Sequence, residues 1–280
     1  MAAQQGKATD HWSSEAYAAS ASFVPALTTT VLKLLAPEPT DRILDLGCGD
    51  GILTSRIAAL VPGGSILGLD ASASMITTAA NSYAAPNCTF SLQDCTTISA
   101  EAPELCRGEF DKVFSNAALH WILRSPSTRK TVLADALAAL KPGGTFVFEL
   151  GGAGNVGEVH AALIAALVHF GVPLADAQAA SPWFFPSETW MRDALMEVGF
   201  VVERLESEYR PTRLTEGEGG GLEGWVRLMG AGFLEAVEEE RRQEVVGWVV
   251  RVLGSVVRRE EDGSAWLGYV RLRGVARRPV

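Results

Sequence analysis

Apolar residues along the first half of the chain fall into short runs that alternate with amphipathic stretches. The runs predict five buried strands, at residues 42–46, 65–69, 88–91, 110–115 and 145–150. The amphipathic stretches predict helices over residues 23–35, 52–61, 74–83 and 130–140, and Pro-Gly clusters end the second and the fourth of them. Strands that alternate with helices are typical of a parallel sheet covered by helices.

The second half of the chain has a less regular pattern. It predicts a strand over residues 200–208 and helices over residues 159–170, 188–198, 225–233 and 235–257. Residues 266–276 alternate apolar and polar side chains, which predicts a strand with one solvated face. An aromatic cluster at 182–186 and a Gly/Glu-rich stretch at 215–222 predict loops between these elements.

Length and charge narrow the class of protein. The chain has 280 residues, 48% of them hydrophobic, and a formal net charge of −9. No run approaches the ~18 apolar residues that cross a bilayer, and the amino terminus lacks a basic and then apolar signal pattern, so we expect a cytoplasmic protein that contacts no membrane. The acidic balance repels phosphate backbones and argues against a nucleic-acid partner. The sequence leaves the oligomeric state open.

The spacing of cysteines and histidines argues against a metal centre. The thiols and imidazoles are Cys48, Cys88, Cys95, Cys106, His11, His120, His160 and His169. They contain neither a CxxC pair nor an HxxxH pair. We therefore expect no zinc site and no disulfide framework.

A glycine-rich loop follows the first predicted strand. It runs from Asp45 to Gly51, with glycines at every second position from Gly47. Such a loop lets the backbone turn tightly, and it lets a ligand lie against the main chain beside the start of the next helix. Asp70 ends the second strand, where a carboxylate can accept hydrogen bonds from both hydroxyls of a ribose. The alternative is an ordinary tight turn, with Asp70 as a helix-capping acid.

The Asp-x-Gly-x-Gly-x-Gly loop with an acid at the next strand end resembles that of the class I S-adenosylmethionine-dependent methyltransferases. The resemblance implies that the methionine part of the cofactor contacts the loop and that Asp70 holds the ribose. It also places Met75 against the adenine face and Asp94 with Cys95 at the adenine amino group, although Met75 and Cys95 would suit the hydrophobic core equally. The cofactor-binding residues implied by the loop and the strand ends are Asp45, Gly47, Cys48, Gly49, Gly51, Asp70, Ala71, Met75, Asp94, Cys95 and Asn116.

The same resemblance implies the fold. We expect a Rossmann-like α/β fold with a seven-stranded, mostly parallel sheet, helices on both faces and an antiparallel last strand. Residues 23–150, 188–208 and 266–276 would form the core of a single methyltransferase domain over residues 1–280. Residues 1–22, 151–187 and 209–265 would then be helical lid and substrate inserts.

The motif at residues 114–121 follows the fourth strand and ends in His120 and Trp121. It resembles the trans-aconitate methyltransferases and related enzymes that methylate carboxylates; residues 183–186 and 269–273 are similar to a fungal-style branch of that group. The amino-terminal segment around Trp12 and Tyr17 resembles their short lid over the cofactor. The resemblance implies S-adenosylmethionine as the cofactor and a small-molecule acid as the acceptor.

The roles of His120 and Trp121 have alternatives. A carboxylate is ionised at pH 7 and needs no base, so Trp121 could donate its indole N–H to the acceptor while His120 packs or donates beside it. Trp121 could instead be a buried anchor, and His120 a satisfied core histidine or the general base for a hydroxyl or amine. The competing functions are O-, N- or C-methylation of a secondary metabolite, and a non-catalytic scaffold that binds the cofactor. The aromatics Trp183, Phe184, Phe185 and Trp225 are expected to roof the acceptor cavity.

Overall fold

The computed structural model describes residues 28–215 and 220–280, and within them a seven-stranded sheet organises the chain. The strands are β1 (Arg42–Leu46), β2 (Ser65–Asp70), β3 (Cys88–Leu92), β4 (Phe110–Asn116), β5 (Leu140–Gly151), β6 (Val201–Arg213) and β7 (Trp266–Arg277). The order across the sheet is β3-β2-β1-β4-β5-β7-β6. β1 to β5 pair in parallel, and β7 is antiparallel to both β5 and β6. The expected antiparallel last strand is confirmed.

Helices cover the sheet and form a layer beyond it. They are α1 (Thr29–Leu35), α2 (Ile52–Ala58), α3 (Ala73–Tyr83), α4 (Ile98–Glu101), α5 (Leu119–Ile122), α6 (Arg129–Ala139), α7 (Gly157–His169), α8 (Leu174–Ala179), α9 (Glu188–Val198), α10 (Gly221–Met229), α11 (Ala231–Leu234) and α12 (Glu239–Val257). A 3₁₀ turn spans Pro103–Cys106. The strand order reverses between β1 and β4, where sheets of this kind open a crevice at the carboxyl ends of their strands.

Most predicted elements of the first half that lie within the described residues are correct to within one or two residues. The helix predicted over 52–61 ends three residues early, as α2 at Ala58, and the largest difference is in β5. The strand begins at Leu140 rather than at residue 145, and its register against β4 shifts between Phe110 and Lys112. The Pro-Gly-Gly sequence at 142–144 therefore distorts the start of the strand instead of preceding it. The backbone of Gly143 and Gly144 is held there by two hydrogen bonds with Arg278, a contact from the far end of the chain.

Differences in the second half arise from tertiary contacts. β6 extends to Arg213 instead of ending at residue 208, because β7 pairs with it along its whole length. The helix predicted over 225–233 divides into α10 and α11 at Gly230, where an added Cβ would lie 2.5 Å from the carbonyl oxygen of Val226. The short helices α4, α5 and α8 are too brief for the periodicity of the sequence to indicate.

Hydrophobic side chains form three buried clusters. One lies between the sheet and α6 with α9, a second lies between the opposite face and α1 with α2, and a third joins α7, α10 and α12 to β7. Trp183 and Tyr269 belong to the third cluster, so the aromatic segment after α8 packs in the helical layer rather than in solvent. A hydrogen bond connects the sheet to the segment that leads into this layer: the N–H of Val270 in β7 donates to Oδ1 of Asn155, between β5 and α7, at 2.9 Å.

The described ranges contain no helix that is both long and apolar enough to cross a bilayer. The four cysteines are free thiols, and Cys48, Cys88 and Cys95 are buried. Burial raises the pKa of the Cys88 thiol to about 11, and it also raises the pKa values of the Cys48 and Cys95 thiols. These three sulfurs therefore behave as small apolar groups near neutral pH.

Candidate active site

A cleft of about 1010 Å³ opens at the carboxyl ends of the central strands. It brings together most of the residues that the sequence singled out: Asp45, Gly47, Cys48, Gly49, Asp70, Ala71, Met75, Asp94, Cys95, Asn116, His120 and Trp121. Gly51 does not line the cleft. Trp12 and Tyr17 lie outside the described residues.

The three loop glycines have different physical reasons for being glycine. All have positive φ, at +77° for Gly47, +56° for Gly49 and +82° for Gly51, a region that costs side-chain-bearing residues free energy. A Cβ on Gly47 would lie 2.2 Å from Ala118 Cβ, and one on Gly51 would lie 2.8 Å from Ala79 Cβ. A Cβ on Gly49 would meet nothing within 4 Å. Packing therefore explains two of the glycines, whereas Gly49 borders the open space of the cleft.

Asp70 connects the loop to the second strand. Its Oδ2 accepts a hydrogen bond from the Gly49 N–H at 3.0 Å, and its Oδ1 accepts one from the Ser72 N–H at 2.9 Å. The backbone N–H groups of Gly47 and Cys48 both donate to the Leu69 carbonyl. Asp70 also lines the cleft. The carboxylate thus fixes the loop and also faces the ligand space.

Asp45 is the buried acid at the start of the loop. Its side chain accepts a hydrogen bond from Thr54 Oγ1 at 2.7 Å. Burial raises the pKa of Asp45 to about 7; the Thr54 hydrogen bond lowers it, and the nearby charge of Asp70 raises it slightly. Since that pKa lies near neutrality, a cationic ligand group in the cleft would favour the ionised form.

The far end of the cleft is formed by α3 and the turn after β3. Met75 is 4% exposed and Cys95 is 3% exposed, and both line the cleft. The sequence allowed either a cleft position or a core position for these two residues, and the structure gives them both. Asp94 accepts from the Thr96 N–H at 2.8 Å and is exposed at the rim. Leu92 also lines the cleft, although its side chain is 56% exposed. No motif in the sequence indicated Leu92 as a site residue.

His120 is buried at the inner wall of the cleft. Its Nδ1 accepts a hydrogen bond from the Gly151 N–H at 3.3 Å, which places the proton of the neutral imidazole on Nε2. Burial, with a smaller contribution from the Arg271 charge, lowers the pKa of His120 to about 3. His120 is therefore a neutral hydrogen-bond donor at pH 7, which argues against the general-base alternative.

Asn116 and Ala117 sit where β4 ends in the cleft. The Asn116 amide makes no hydrogen bond to residues 28–215 or 220–280, and it lines the cleft. Ala117 has φ +55°, and its N–H donates to the Glu149 carbonyl at 2.7 Å. A left-handed alanine costs about 1–2 kcal/mol, so this turn holds strained backbone beside the ligand space.

Aromatic rings form the other side of the cleft. Trp121 lies edge-on to Trp183 at 5.9 Å between ring centroids, and His120 lies 5.6 Å from Phe185. Trp225 donates its indole N–H to the Tyr269 hydroxyl at 2.7 Å. Trp183, Phe185 and Trp225 line the cleft as predicted, whereas Phe184 does not; it packs under the Arg129 guanidinium, 3.4 Å from the ring centroid.

Two polar lining residues were not predicted as site residues, although Arg271 lies within the segment 269–273 that resembles the fungal-style branch. Asn155 is 4% exposed and follows β5, and Arg271 is 5% exposed in the middle of β7. Both line the cleft only because β7 returns beside β5. In the part of the chain that the structure describes, no three His, Cys, Asp or Glu side chains are grouped to hold a metal ion.

Comparisons with known proteins agree with this geometry. The profile of a methyltransferase domain family matches residues 43–144, the part that holds the glycine loop. An uncharacterized methyltransferase of Schizosaccharomyces pombe is 36% identical over 271 residues, which are 95% of this chain and 98% of that protein. A trans-aconitate 2-methyltransferase of Methylobacterium nodulans is 29% identical over 266 residues, 91% of this chain and 95% of that protein.

A solved structure shares the fold. A protein of Bacillus halodurans C-125 matches with a TM-score of 0.60 at 15% identity, over 91% of this chain and 100% of that chain. Together the sheet order, the glycine loop and the relative that is similar over nearly the whole length define the class of protein. The chain belongs to the class I S-adenosylmethionine-dependent methyltransferases.

Proposed function

We propose that the chain transfers a methyl group from S-adenosylmethionine to a carboxylate of a small-molecule acid. The observation that carries the proposal is the buried His120 in the cleft wall, whose neutral imidazole has its Nδ1 occupied by the Gly151 N–H and so is a donor at Nε2 rather than a base. An acceptor that is already ionised at pH 7 needs no base, and a carboxylate meets that condition. The relatives named trans-aconitate 2-methyltransferase make a trans-aconitate-like acid the first acceptor to test.

The loop side of the cleft fits the cofactor. The open space that a Cβ on Gly49 would occupy lets a ligand lie against the main chain, and Asn116 offers an amide with no other partner among the described residues. Asp70 with Ala71 would hold the ribose, Met75 and Cys95 the adenine face, and Asp94 its amino group. Asp45, Gly47, Cys48 and Asn116 would bound the methionine part. Gly51 would act indirectly, since it packs behind the loop against Ala79.

The chemistry is an in-line displacement. When bound, the cofactor supplies a methyl group whose bond to sulfur breaks as a carboxylate oxygen bonds to carbon, the electron pair staying on sulfur, so that an ester forms with no proton transferred. The chain positions the nucleophile and excludes water. His120 Nε2–H and the Trp121 indole N–H would donate to the acceptor, and the rings of Trp183 and Phe185 would keep the cleft dry.

We further propose that residues 1–280 form one methyltransferase domain. Residues 151–187 and 209–265 shape the acceptor side, since they supply most of its aromatic wall. The assignment of Trp12 and Tyr17 to a lid over the cofactor belongs to the same proposal.

The test is a screen for product release. Small carboxylic acids, phenols and amines are incubated with the protein and S-adenosylmethionine, and S-adenosylhomocysteine is measured. We expect release with acids and not with phenols or amines. In the variant Trp121→Phe, we expect lower turnover and an unchanged dissociation constant for S-adenosylmethionine. Release with phenols or amines alone would contradict the proposal, and calorimetry that detects no cofactor binding to folded protein would contradict it more broadly.

A further inference from the structure

Asn155 is a buried amide in the cleft wall whose nitrogen is not used by the fold. Its side chain is 4% exposed and lines the cleft between β5 and α7. Oδ1 accepts the N–H of Val270 at 2.9 Å, which fixes the orientation of the amide because only its oxygen can accept. The two protons on Nδ2 have no hydrogen-bond partner within residues 28–215 and 220–280. A buried donor without a partner costs stability, so this amide nitrogen calls for a ligand.

The backbone around Asn155 is held firmly against β7. The Gly152 N–H donates to the Val270 carbonyl at 3.0 Å, the Asn155 N–H donates to the Gly152 carbonyl at 3.0 Å, and the Val156 N–H donates to the Gly268 carbonyl at 2.9 Å. Val156 has φ +44°, which is rare for a β-branched residue and stores strain in the turn. The turn therefore holds the Asn155 amide in one place beside the cleft.

Gly151 brings Asn155 and His120 together. The Gly151 N–H donates to His120 Nδ1 at 3.3 Å. A Cβ on Gly151 would lie 2.7 Å from Asn155 Nδ2 and 2.7 Å from Cε1 of Phe185, so the lack of a side chain is what lets both approach. Phe185 is also the ring that lies 5.6 Å from the His120 ring. The imidazole and the amide thus lie against the same glycine.

The polar atoms that this pair leaves for a ligand are all donors. His120 Nδ1 and Asn155 Oδ1, the two acceptor atoms, each accept from a backbone N–H. The atoms that remain are His120 Nε2, protonated in the neutral imidazole, and Asn155 Nδ2. Neither belongs to the side-chain atoms that are sealed inside the described part of the protein without a partner, so each borders open space, and both residues line the cleft.

We propose that Asn155 Nδ2 donates to the carboxylate of the acceptor together with His120 Nε2, and that this donor pair selects a carboxylate over a phenol or an amine. The inference rests on the proposed carboxylate methylation and adds a residue that determines its specificity. A carboxylate has only acceptor atoms and satisfies both donors, whereas a hydroxyl or an amine brings a proton that the pair cannot accept. Methylation also replaces charge-assisted hydrogen bonds by weaker neutral ones, which favours release of the ester.

The variant Asn155→Asp tests the donor directly. It keeps the size of the side chain and an oxygen for the Val270 N–H, and it replaces the Nδ2 donor by a second oxygen. For the acid that forms most ester in the product screen, beginning with trans-aconitate, we expect kcat/KM to fall about 10- to 100-fold, mainly through KM. The dissociation constant for S-adenosylmethionine and the urea unfolding midpoint are expected to stay unchanged.

A matched control has the same change of charge elsewhere. Asn81→Asp, at an exposed position of α3, is expected to behave like the wild type in all three measurements. If Asn81→Asp lost turnover of the acid as strongly as Asn155→Asp, a general effect of the added negative charge would explain the loss, and the proposal would be overturned.

A second measurement needs no variant. In ¹⁵N-labelled wild-type protein loaded with S-adenosylhomocysteine, the side-chain NH₂ signals of Asn155 are assigned from its backbone signals and followed by NMR as the same acid is added. We expect the acid to move these signals downfield, and the primary amide of that acid to move them less, since a charged acceptor makes the stronger hydrogen bond.

The outcomes separate this inference from the proposed function. Unchanged kcat/KM in folded Asn155→Asp, or Asn155 signals that stay fixed while a methylated acid binds, would overturn the role of Asn155, and ester formation would leave carboxylate methylation standing. Fixed signals together with a joint loss of cofactor binding and stability in Asn155→Asp would assign the residue to the fold. Release of S-adenosylhomocysteine from the wild type with phenols or amines and with no acid would overturn the proposed function, and this inference with it.

Discussion

His120 and Gly151 are joined by a hydrogen bond in which the Gly151 N–H donates to the imidazole Nδ1 at 3.3 Å. The bond links the motif after β4 to the end of β5. A second hydrogen bond, from the Phe184 N–H to the His120 carbonyl at 2.8 Å, joins the aromatic segment 182–186 to the same motif. The tautomer that results carries its proton on Nε2, in a side chain that lines the cleft. The reaction space therefore offers hydrogen-bond donors to an anion.

The pH dependence of the rate tests this arrangement. Since burial lowers the pKa of His120 to about 3, the imidazole stays neutral from about pH 5 upward, and an acceptor carboxylate stays ionised over the same range. We expect kcat/KM for an acid acceptor to be flat between about pH 6 and 9, as measured by release of S-adenosylhomocysteine. A rate that falls below about pH 6.5, and that loses this dependence in His120→Gln, would identify His120 as a general base instead.

Unlike the rate, the folding stability is expected to depend on pH, because of Asp45. Because its pKa is raised from 3.8 to about 7, the folded state binds a proton between these values that the unfolded state has released. Folding stability without cofactor should then fall as pH rises through that window, by at most about 1.4 kcal/mol per pH unit. Asp45→Asn removes the titration, so we expect the variant to gain stability relative to the wild type as pH rises from about 4 to about 7 in urea unfolding.

The exposed residue Asp176 supplies the control for Asp45. Asp176→Asn is expected to follow the wild-type pH dependence. If Asp45→Asn lost the same stability at every pH, desolvation of a buried carboxylate would not govern this position.

The glycine loop allows a paired test. Gly51→Ala places a methyl group 2.8 Å from Ala79 Cβ at a positive φ, so we expect a loss of about 2–4 kcal/mol in the free energy of unfolding. Gly49→Ala meets nothing within 4 Å and should cost only the strain of its φ, about 1 kcal/mol, but it narrows the ligand space. Thermal unfolding and calorimetry with S-adenosylmethionine distinguish the two. Unchanged cofactor affinity in Gly49→Ala would show that the ligand does not approach this backbone.

Asp70 is expected to contribute to cofactor affinity. Removing the carboxylate in Asp70→Ala deletes the acceptors that we propose for the ribose hydroxyls, and it releases the Gly49 N–H that bonds to this side chain. We expect the dissociation constant for S-adenosylmethionine to rise by the equivalent of about 1–3 kcal/mol, with Asp70→Asn affected less. An unchanged dissociation constant in Asp70→Ala would remove this residue from the site.

The grouping of the proposed cofactor residues in one cleft was predictable from sequence because their contacts are local. The loop from Asp45 to Gly51 and the acid at Asp70 follow directly from adjacent strands, and β1 and β2 form where their apolar runs lie. Parallel strands bring their carboxyl ends to one edge, so spacing along the chain was enough to group these residues. The role of Gly51 was not predictable, since its packing against Ala79 depends on the path of α3.

The acceptor side depends on pairings between distant parts of the chain. Arg271 reaches the cleft because β7 lies against β5 and places it opposite Gly151, a relationship that no local pattern encodes. The early start of β5 likewise depends on Arg278, whose backbone bonds Gly143 and Gly144. Periodicity indicates that residues 266–276 are a strand, but the partner strand decides which of its side chains enter the site.

The central claim is that the chain methylates carboxylates. Its most direct measurement is mass spectrometry of the products formed from S-adenosylmethionine and a panel of carboxylic acids, each paired with its primary amide. We expect a methyl ester and an equal amount of S-adenosylhomocysteine from at least one acid, with none from the matching amide. Methylation confined to oxygen, nitrogen or carbon atoms of non-carboxylate acceptors would contradict it.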